Sequence, residues 1–176
     1  MQAALLFAST ALSIWAVVVA RTRRGVPGGA VFGWMLIAIA LWSFTSGIHT
    51  LVDDRDARVL ISKLQYFGVA PIGVLWLLFA TQYSRVSWPA ERALRVLVWA
   101  IPVATLLLAW TNDQHGFHWS VINEIQTPAG RRLVYVGGPW YWVNAAYSYF
   151  LVLIGTAMLV RGLRRFPPPP IAAKPP

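Results

Sequence analysis

Five long apolar runs, closed on alternate sides by arginines, constrain this chain more than any other feature. They span roughly Ala3–Ala20, Val31–Leu51, Val59–Tyr83, Leu94–Trp110 and Trp142–Val160. A helix rises about 1.5 Å per residue, so crossing the hydrocarbon core of a bilayer takes about 20 apolar residues. In hydrocarbon only helices and closed barrels satisfy their own backbone polar groups. Barrel strands alternate apolar and polar residues over about 10 positions, whereas these runs are longer and continuous. The fold class that follows is an all-α membrane protein, a bundle of five transmembrane helices. Composition agrees: 12% of residues are charged and mean hydropathy is +0.56, where a soluble domain carries about a quarter charged residues. The first run has no basic residues before it and no clear cleavage site after it. It is also too long for the apolar segment of a signal peptide, so it reads as a retained helix. The chain has no cysteine, which excludes disulfides, thiolate metal sites and cysteine nucleophiles.

The net charge of +9 invites a nucleic-acid reading, but the placement of the charge opposes it. Arg21, Arg23, Arg24, Arg85, Arg92, Arg95, Arg161, Arg164, Arg165 and Lys174 fall on one side of the membrane, with Glu91 as the only acid. The other side holds Arg55, Arg58, Lys63, Arg131 and Arg132 against Asp53, Asp54, Asp56, Asp113 and Glu124. An excess of Lys and Arg in short loops marks the cytoplasmic side. The N-terminus is therefore expected outside and the C-terminus inside, in a cell (inner) membrane. The basic charge is then topological, with a secondary attraction to anionic lipid. No nucleic-acid module motif accompanies it, and no nucleic-acid partner is expected.

Turn residues punctuate the loops. Pro27-Gly28-Gly29 reads as a tight reversal between the first two helices. Asp53 or Asp54 is placed to cap the third helix. Pro89 suits the first turn of the fourth, with Ser87 or Trp88 at its cap. The loop from Thr111 to Tyr141 is far longer than the others, and loops of that length usually carry function or structure of their own. Its β-favouring stretches His118–Ile125 and Arg132–Val136 flank Thr127-Pro128-Ala129-Gly130, which predicts an extracellular β-hairpin between the fourth and fifth helices. The aromatic ends of that loop, Phe117 and Trp119 and then Trp140-Tyr141-Trp142, are expected at the membrane interface or over the mouth of the bundle. Residues 1–165 form one membrane-embedded domain, and the proline-rich residues 166–176 read as a disordered tail.

Three groups of residues carry a likeness to a known family. The third helix reads Leu64-Gln65-Tyr66-Phe67-Gly68, then Pro71, then Leu75-Trp76-Leu77-Leu78-Phe79-Ala80 and Tyr83. The fourth has Ile101-Pro102 and leaves through Thr111-Asn112, with His115 and Trp119 beyond. The fifth opens Gly138-Pro139-Trp140-Tyr141-Trp142-Val143 and continues Ala146-Tyr147-Ser148-Tyr149. Together they resemble the seven-transmembrane N-terminal sensor region of bacterial histidine kinases. The resemblance implies a sensory input module of a signal-transduction system. In such a module a small ligand or the state of the membrane alters helix packing, and cytoplasmic output domains read the change. The chain is not expected to be an enzyme, because paired carboxylates and a Ser-His-Asp set within the membrane are missing and every acid lies in a loop. Two departures stand out: five helices replace seven, and no kinase, cyclase or PAS motif follows them. The expectation is an input module lacking its own output domain, whether as a fragment, a truncated product or a stand-alone module. Where relatives are expected to carry a histidine on the fifth helix, this chain has Asn144.

Polar groups at membrane depth are functional candidates because they are costly there. His49, near the outer end of the second helix, is either a ligand-contacting or pH-sensitive group or an interfacial histidine reaching water. Lys63 and Gln65 snorkel outward, or Lys63 pairs with Asp53 or Asp54. His115 and His118 share a helical spacing, but no further ligands or HExxH pattern support a metal. Ordinary hydrogen bonds are the expected organisers of that loop. Trp140, Asn144, Tyr147 and Leu151 fall on one face of the fifth helix. That face is either a packed seam or, with His49, Tyr66 and Trp119, a ligand pocket capped by the hairpin. Pro71 and Pro102 interrupt the third and fourth helices. No catalytic residue, cofactor or metal is expected. The expected partners are the lipid bilayer, an unknown small ligand, and a second copy or a histidine kinase. A small transporter or channel subunit, or a membrane assembly module, is the alternative. A transporter would more usually carry a buried acid at mid-depth, and every acid here lies in a loop.

Overall fold

The computed structural model describes residues 2–22, 27–85, 91–127 and 130–165. Arg23 and Arg24, the Ser87–Trp88 cap, the Pro128-Ala129 apex of the hairpin and the proline tail lie outside them. Helices α1 (Gln2–Thr22), α2 (Gly29–Leu51), α3 (Arg55–Val69) and α4 (Ile72–Tyr83) come first. Then follow α5 (Glu91–Leu97), α6 (Ala100–Trp110), a single turn α7 (Asn112–His115), strands β1 (Trp119–Thr127) and β2 (Gly130–Gly137), and α8 (Pro139–Arg165). Among the described residues, five helical segments are long and apolar enough to cross a membrane, with α3 and α4 forming the third and most of α5 with α6 the fourth. The helices begin before their apolar runs do, because a helix continues into polar surroundings until something caps it. For α3 that cap is Asp54, whose carboxylate accepts from the Ala57 N–H at 2.8 Å, as the sequence suggested.

Two of the spans are broken, and the breaks follow proline chemistry. Pro71 has no N–H for the Phe67 carbonyl, and α3 gives way to α4 at Ala70 and Pro71. In the fourth span the break falls at Val98 and Trp99, ahead of Pro102 rather than at it. Pro102 removes the bond that the Val98 carbonyl would accept, and its ring crowds that carbonyl, so distortion appears one turn upstream.

The bundle is built around α4. The α1 helix packs on α2, α2 packs on both α3 and α4, α4 packs on α8, and α6 contacts α3 and α8. Val74, Leu77 and Leu151 form a buried core with Tyr147 and Ile154 at its edge, and Met35, Ala38 and Leu75 form a second. At the crossing of α2 and α3 the backbones meet at Gly68. A Cβ there would stand 2.6 Å from the Ala38 carbonyl oxygen. Small residues permit this approach in membranes, where association depends on packing rather than on water exclusion. The outward faces are apolar, with Leu12 and Trp15 on α1 and Tyr149 and Leu153 on α8 exposed, as hydrocarbon solvent allows. The hairpin strands run antiparallel from Trp119 opposite Gly137 to Thr127 opposite Gly130. They extend further toward the turn than the β-favouring stretches did, because cross-strand pairing carries polar residues such as Arg131 and Gln126 into the ladder.

Candidate functional site at the hairpin end

Asn112 organises the entry to the hairpin. Its Oδ1 accepts from the His118 and Trp119 N–H groups at 2.9 and 2.8 Å, and its Nδ2 donates to the Trp119 carbonyl at 3.0 Å. His115 is held locally: its Nδ1 accepts from the Phe117 N–H at 3.0 Å, and its Nε2 lies 3.0 Å from the Thr111 hydroxyl. Because α7 stops at His115, His115 and His118 do not share a helical face as their spacing suggested. Among the described residues no group of three or more His, Asp or Glu side chains gathers as a metal site would need.

His118 is fully buried, and neither ring nitrogen has a hydrogen-bond partner. Its ring meets the edge or face of Tyr66 at 4.4 Å between centroids, Trp119 at 4.9 Å and Tyr141 at 6.1 Å. Burial among these rings pulls its pKa down to about 4. Trp119 continues the cluster to Tyr66 at 5.6 Å and Tyr135 at 5.1 Å, and the Tyr135 hydroxyl bonds Ser62 at 2.7 Å. Burial also raises the pKa of the Tyr135 phenol. His49 stands 6.4 Å from Tyr135, and its Nε2 is buried without a partner, so that nitrogen does not reach water. The fold thus gathers His49, Tyr66 and Trp119, and adds His118 and Tyr135. Tyr135 was foreshadowed by the alternation of β2, where Leu133 and Tyr135 face inward and Val134 and Val136 are exposed.

Two buried bases hold this end together. Arg58 donates through Nε to the Val52 carbonyl, through Nη1 to the Arg131 carbonyl at 2.6 Å, and through Nη2 to Asp53 at 3.2 Å. It thereby ties the end of α2 and the hairpin to α3. Lys63 neither snorkels outward nor pairs with Asp53 or Asp54. Its side chain is only 10% exposed, and its ammonium donates to Asp113 and to the Trp110 carbonyl. Lys63 lies over two turns into α3, out of reach of the acids before it, and the acid opposite comes from α7.

Trp140, Asn144 and Tyr147 sit apart from the first three candidates, in the seam between α8 and the fourth span. Thr105, which pattern reasoning did not single out, is its centre. The Thr105 hydroxyl accepts from Trp140 Nε1 and donates to Asn144 Oδ1, both at 3.0 Å. The Tyr147 hydroxyl donates to the Val98 carbonyl at 2.6 Å. That is the carbonyl deprived of its helical partner by Pro102. The two groups meet at the start of α8, where the Gly138 N–H donates to the His118 carbonyl at 2.9 Å and the Trp140 N–H to the Phe117 carbonyl at 3.0 Å. Position 138 admits only glycine at this approach, since a Cβ would stand 2.3 Å from the Phe117 oxygen.

The geometry is that of an aromatic cluster and a polar seam joined by one helix start. No curated protein and no solved structure matches the chain. The family model for the N-terminal 7TM region of histidine kinase matches residues 5–171, nearly the whole chain, and the chain belongs to that family.

Proposed function

We propose that this chain is a non-catalytic sensory input module of a bacterial histidine-kinase-type system, reading a small ligand or the state of the outer leaflet at its hairpin end. The carrying observation is the pair of bonds from Gly138 and Trp140 to the carbonyls of His118 and Phe117. The first N–H groups at a helix start have no partner within the helix; here the backbone of His118 and of Phe117, the residue before it, supplies two acceptors. A stimulus that reseats His118 or Trp119 therefore moves the start of α8. That helix runs 27 residues to Arg165, about 40 Å at the usual rise, and carries the displacement to the opposite membrane surface.

A stimulus transmits only if it prefers one packing state over the other. His49 Nε2 and both His118 nitrogens are buried without partners, so a ligand or water that bonds them has an energetic reason to favour a second arrangement. In this scheme His49, Tyr66 and Trp119 contact the ligand, and Trp140, Asn144 and Tyr147 relay its effect or line its far wall. The hairpin faces outward and Arg161–Arg165 faces the cytoplasm, next to an output domain in the same chain or in a partner.

Native mass spectrometry of gently extracted protein tests this. A stoichiometric small molecule retained by the wild type and lost from Tyr66→Leu and Asn144→Ala is the expected result. Retention unaffected by either change, or an empty wild type that moves solute across proteoliposomes, would sink the sensor reading.

A further inference from the structure

One cavity at the hairpin end belongs to neither cluster. It has a volume of about 350 Å³ and is lined by Arg55, Asp56, Leu60 and Lys63 of α3, Asp113 of α7 and Ile122 of β1. Two cations and two anions face it, so its formal charge is zero. The ion pairs leave capacity for a ligand. Lys63 has three donors, of which Asp113 and the Trp110 carbonyl take two. Asp113 engages Lys63 through Oδ2, and its side chain is 67% exposed. Arg55 and Asp56 meet at 3.6 Å on the rim, both largely exposed. A neutral cleft with paired charges of both signs suits a zwitterion, since an anion would meet two carboxylates and a cation two bases.

The cavity also has an apolar runway. Leu60, Leu64 and Phe67 repeat at helical spacing on α3 and are all exposed, and Leu107 and Trp110 are exposed on α6. Phe67 and Trp110 meet edge to face at 6.0 Å, which joins the two strips. Leu60 lies in the cavity wall, so the strip leads from the charged cleft toward membrane depth, about 10 Å over seven residues.

We infer that this cleft binds the headgroup of a phospholipid with a primary ammonium, of the phosphoethanolamine type, with an acyl chain lying along Leu60, Leu64 and Phe67. The phosphate accepts from Arg55 and the spare Lys63 donor. The ammonium donates to Asp113 and Asp56. A quaternary ammonium has no N–H to donate and is recognised by aromatic cages, and among the described residues no aromatic side chain lines this cavity. The inference rests on membrane embedding alone, and not on ligand sensing beneath the hairpin.

The test is native mass spectrometry of the protein released from nanodiscs made of equal parts phosphatidylethanolamine, phosphatidylcholine and phosphatidylglycerol with identical chains. A single retained ethanolamine lipid is expected, favoured about tenfold over the other two, with Arg55→Ser and Lys63→Met each lowering occupancy by about tenfold. Lys63→Met removes a buried ammonium from its partner Asp113 and can disturb folding. Arg55→Ser changes a rim residue, so the assignment stands or falls on it alone if Lys63→Met does not fold. Equal retention of the three lipids, preference for the anionic one, or an ethanolamine adduct unchanged in Arg55→Ser overturns the inference. Binding of water-soluble phosphoethanolamine as tight as that of the lipid overturns the lipid assignment in favour of a free zwitterion. Loss of a small molecule in Tyr66→Leu with the lipid retained separates this site from the one under the hairpin.

Discussion

His118 is an imidazole kept from both water and hydrogen bonds, and that arrangement makes stability depend on pH in a definite direction. In the packed state its pKa is about 4, below the ordinary 6.5, because burial disfavours the charged ring. Between those values the unpacked state binds a proton that the packed state does not. The contribution is therefore whole above the unpacked pKa, fades as pH falls through the window, and is constant again below the packed pKa. Its full size is about 3 kcal/mol, at roughly 1.4 kcal/mol per pKa unit. The rings against His118 are Tyr66 of α3, Trp119 of β1 and Tyr141 of α8, with no carboxylate among them to rescue the charge. Melting curves in nanodiscs from about pH 7 down to about pH 4.5 should therefore show a larger fall in Tm for wild type than for His118→Phe. Parallel falls would remove His118 as the titrating group. Asn112 offers a test that does not involve pH. Asn112→Ala leaves the buried His118 and Trp119 N–H groups without their acceptor and should cost about 2–4 kcal/mol. Gln114→Ala, on the exposed side of the same turn, should leave thermal stability unchanged.

At the scale of elements, the informative unit is a proline and the tyrosine that answers it. Pro102 frees the Val98 carbonyl within the fourth span, and the Tyr147 hydroxyl of α8 supplies the missing donor. Tyr147→Phe should therefore cost about 1 kcal/mol, more than a typical bond between membrane helices. In a Pro102→Ala background the helix regains its own donor, and the cost of Tyr147→Phe should nearly vanish. Unfolding in mixed micelles of the two single variants and the double variant measures this coupling, and strict additivity would show that the two residues act independently. The sequence allowed part of this to be read. Both prolines announced interruptions, but the break before Pro102 lies where the carbonyl is displaced, one turn upstream. Trp140, Asn144, Tyr147 and Leu151 were legible as a helical face because spacing is local. Thr105, which meets that face from α6, was not, because a threonine in an apolar run carries no periodic mark and its partners come from another helix. For the same reason His118 emerged only with the hairpin folded against Tyr66, while Lys63 met an acid fifty residues away.

For the whole molecule, the five spans were the most legible feature, since length and hydropathy decide them without tertiary information. Their direction in the membrane rests on a different physical quantity, the sorting of charge between loops. Ten of the fifteen basic residues fall on the side of Arg21 and Arg161, and five of the six acids fall on the side of the hairpin. Lys and Arg are retained on the cytoplasmic side during insertion, so the proposed topology has the hairpin outside and the start of the α1–α2 connection inside. The absence of cysteine makes this open to direct measurement, because any engineered thiol is the only one present. Ser120 lies exposed on β1 and Thr22 exposed at the end of α1, at opposite ends of the bundle. A membrane-impermeant maleimide applied to intact cells should label Ser120→Cys and spare Thr22→Cys, and permeabilising the cells should expose the second site. Neither substitution touches the aromatic cluster or the α8 seam, so labelling reports topology rather than damage. The opposite pattern would put the arginine-rich ends outside. It would move the aromatic cluster to the cytoplasmic face, and with it the proposed direction in which α8 carries a signal.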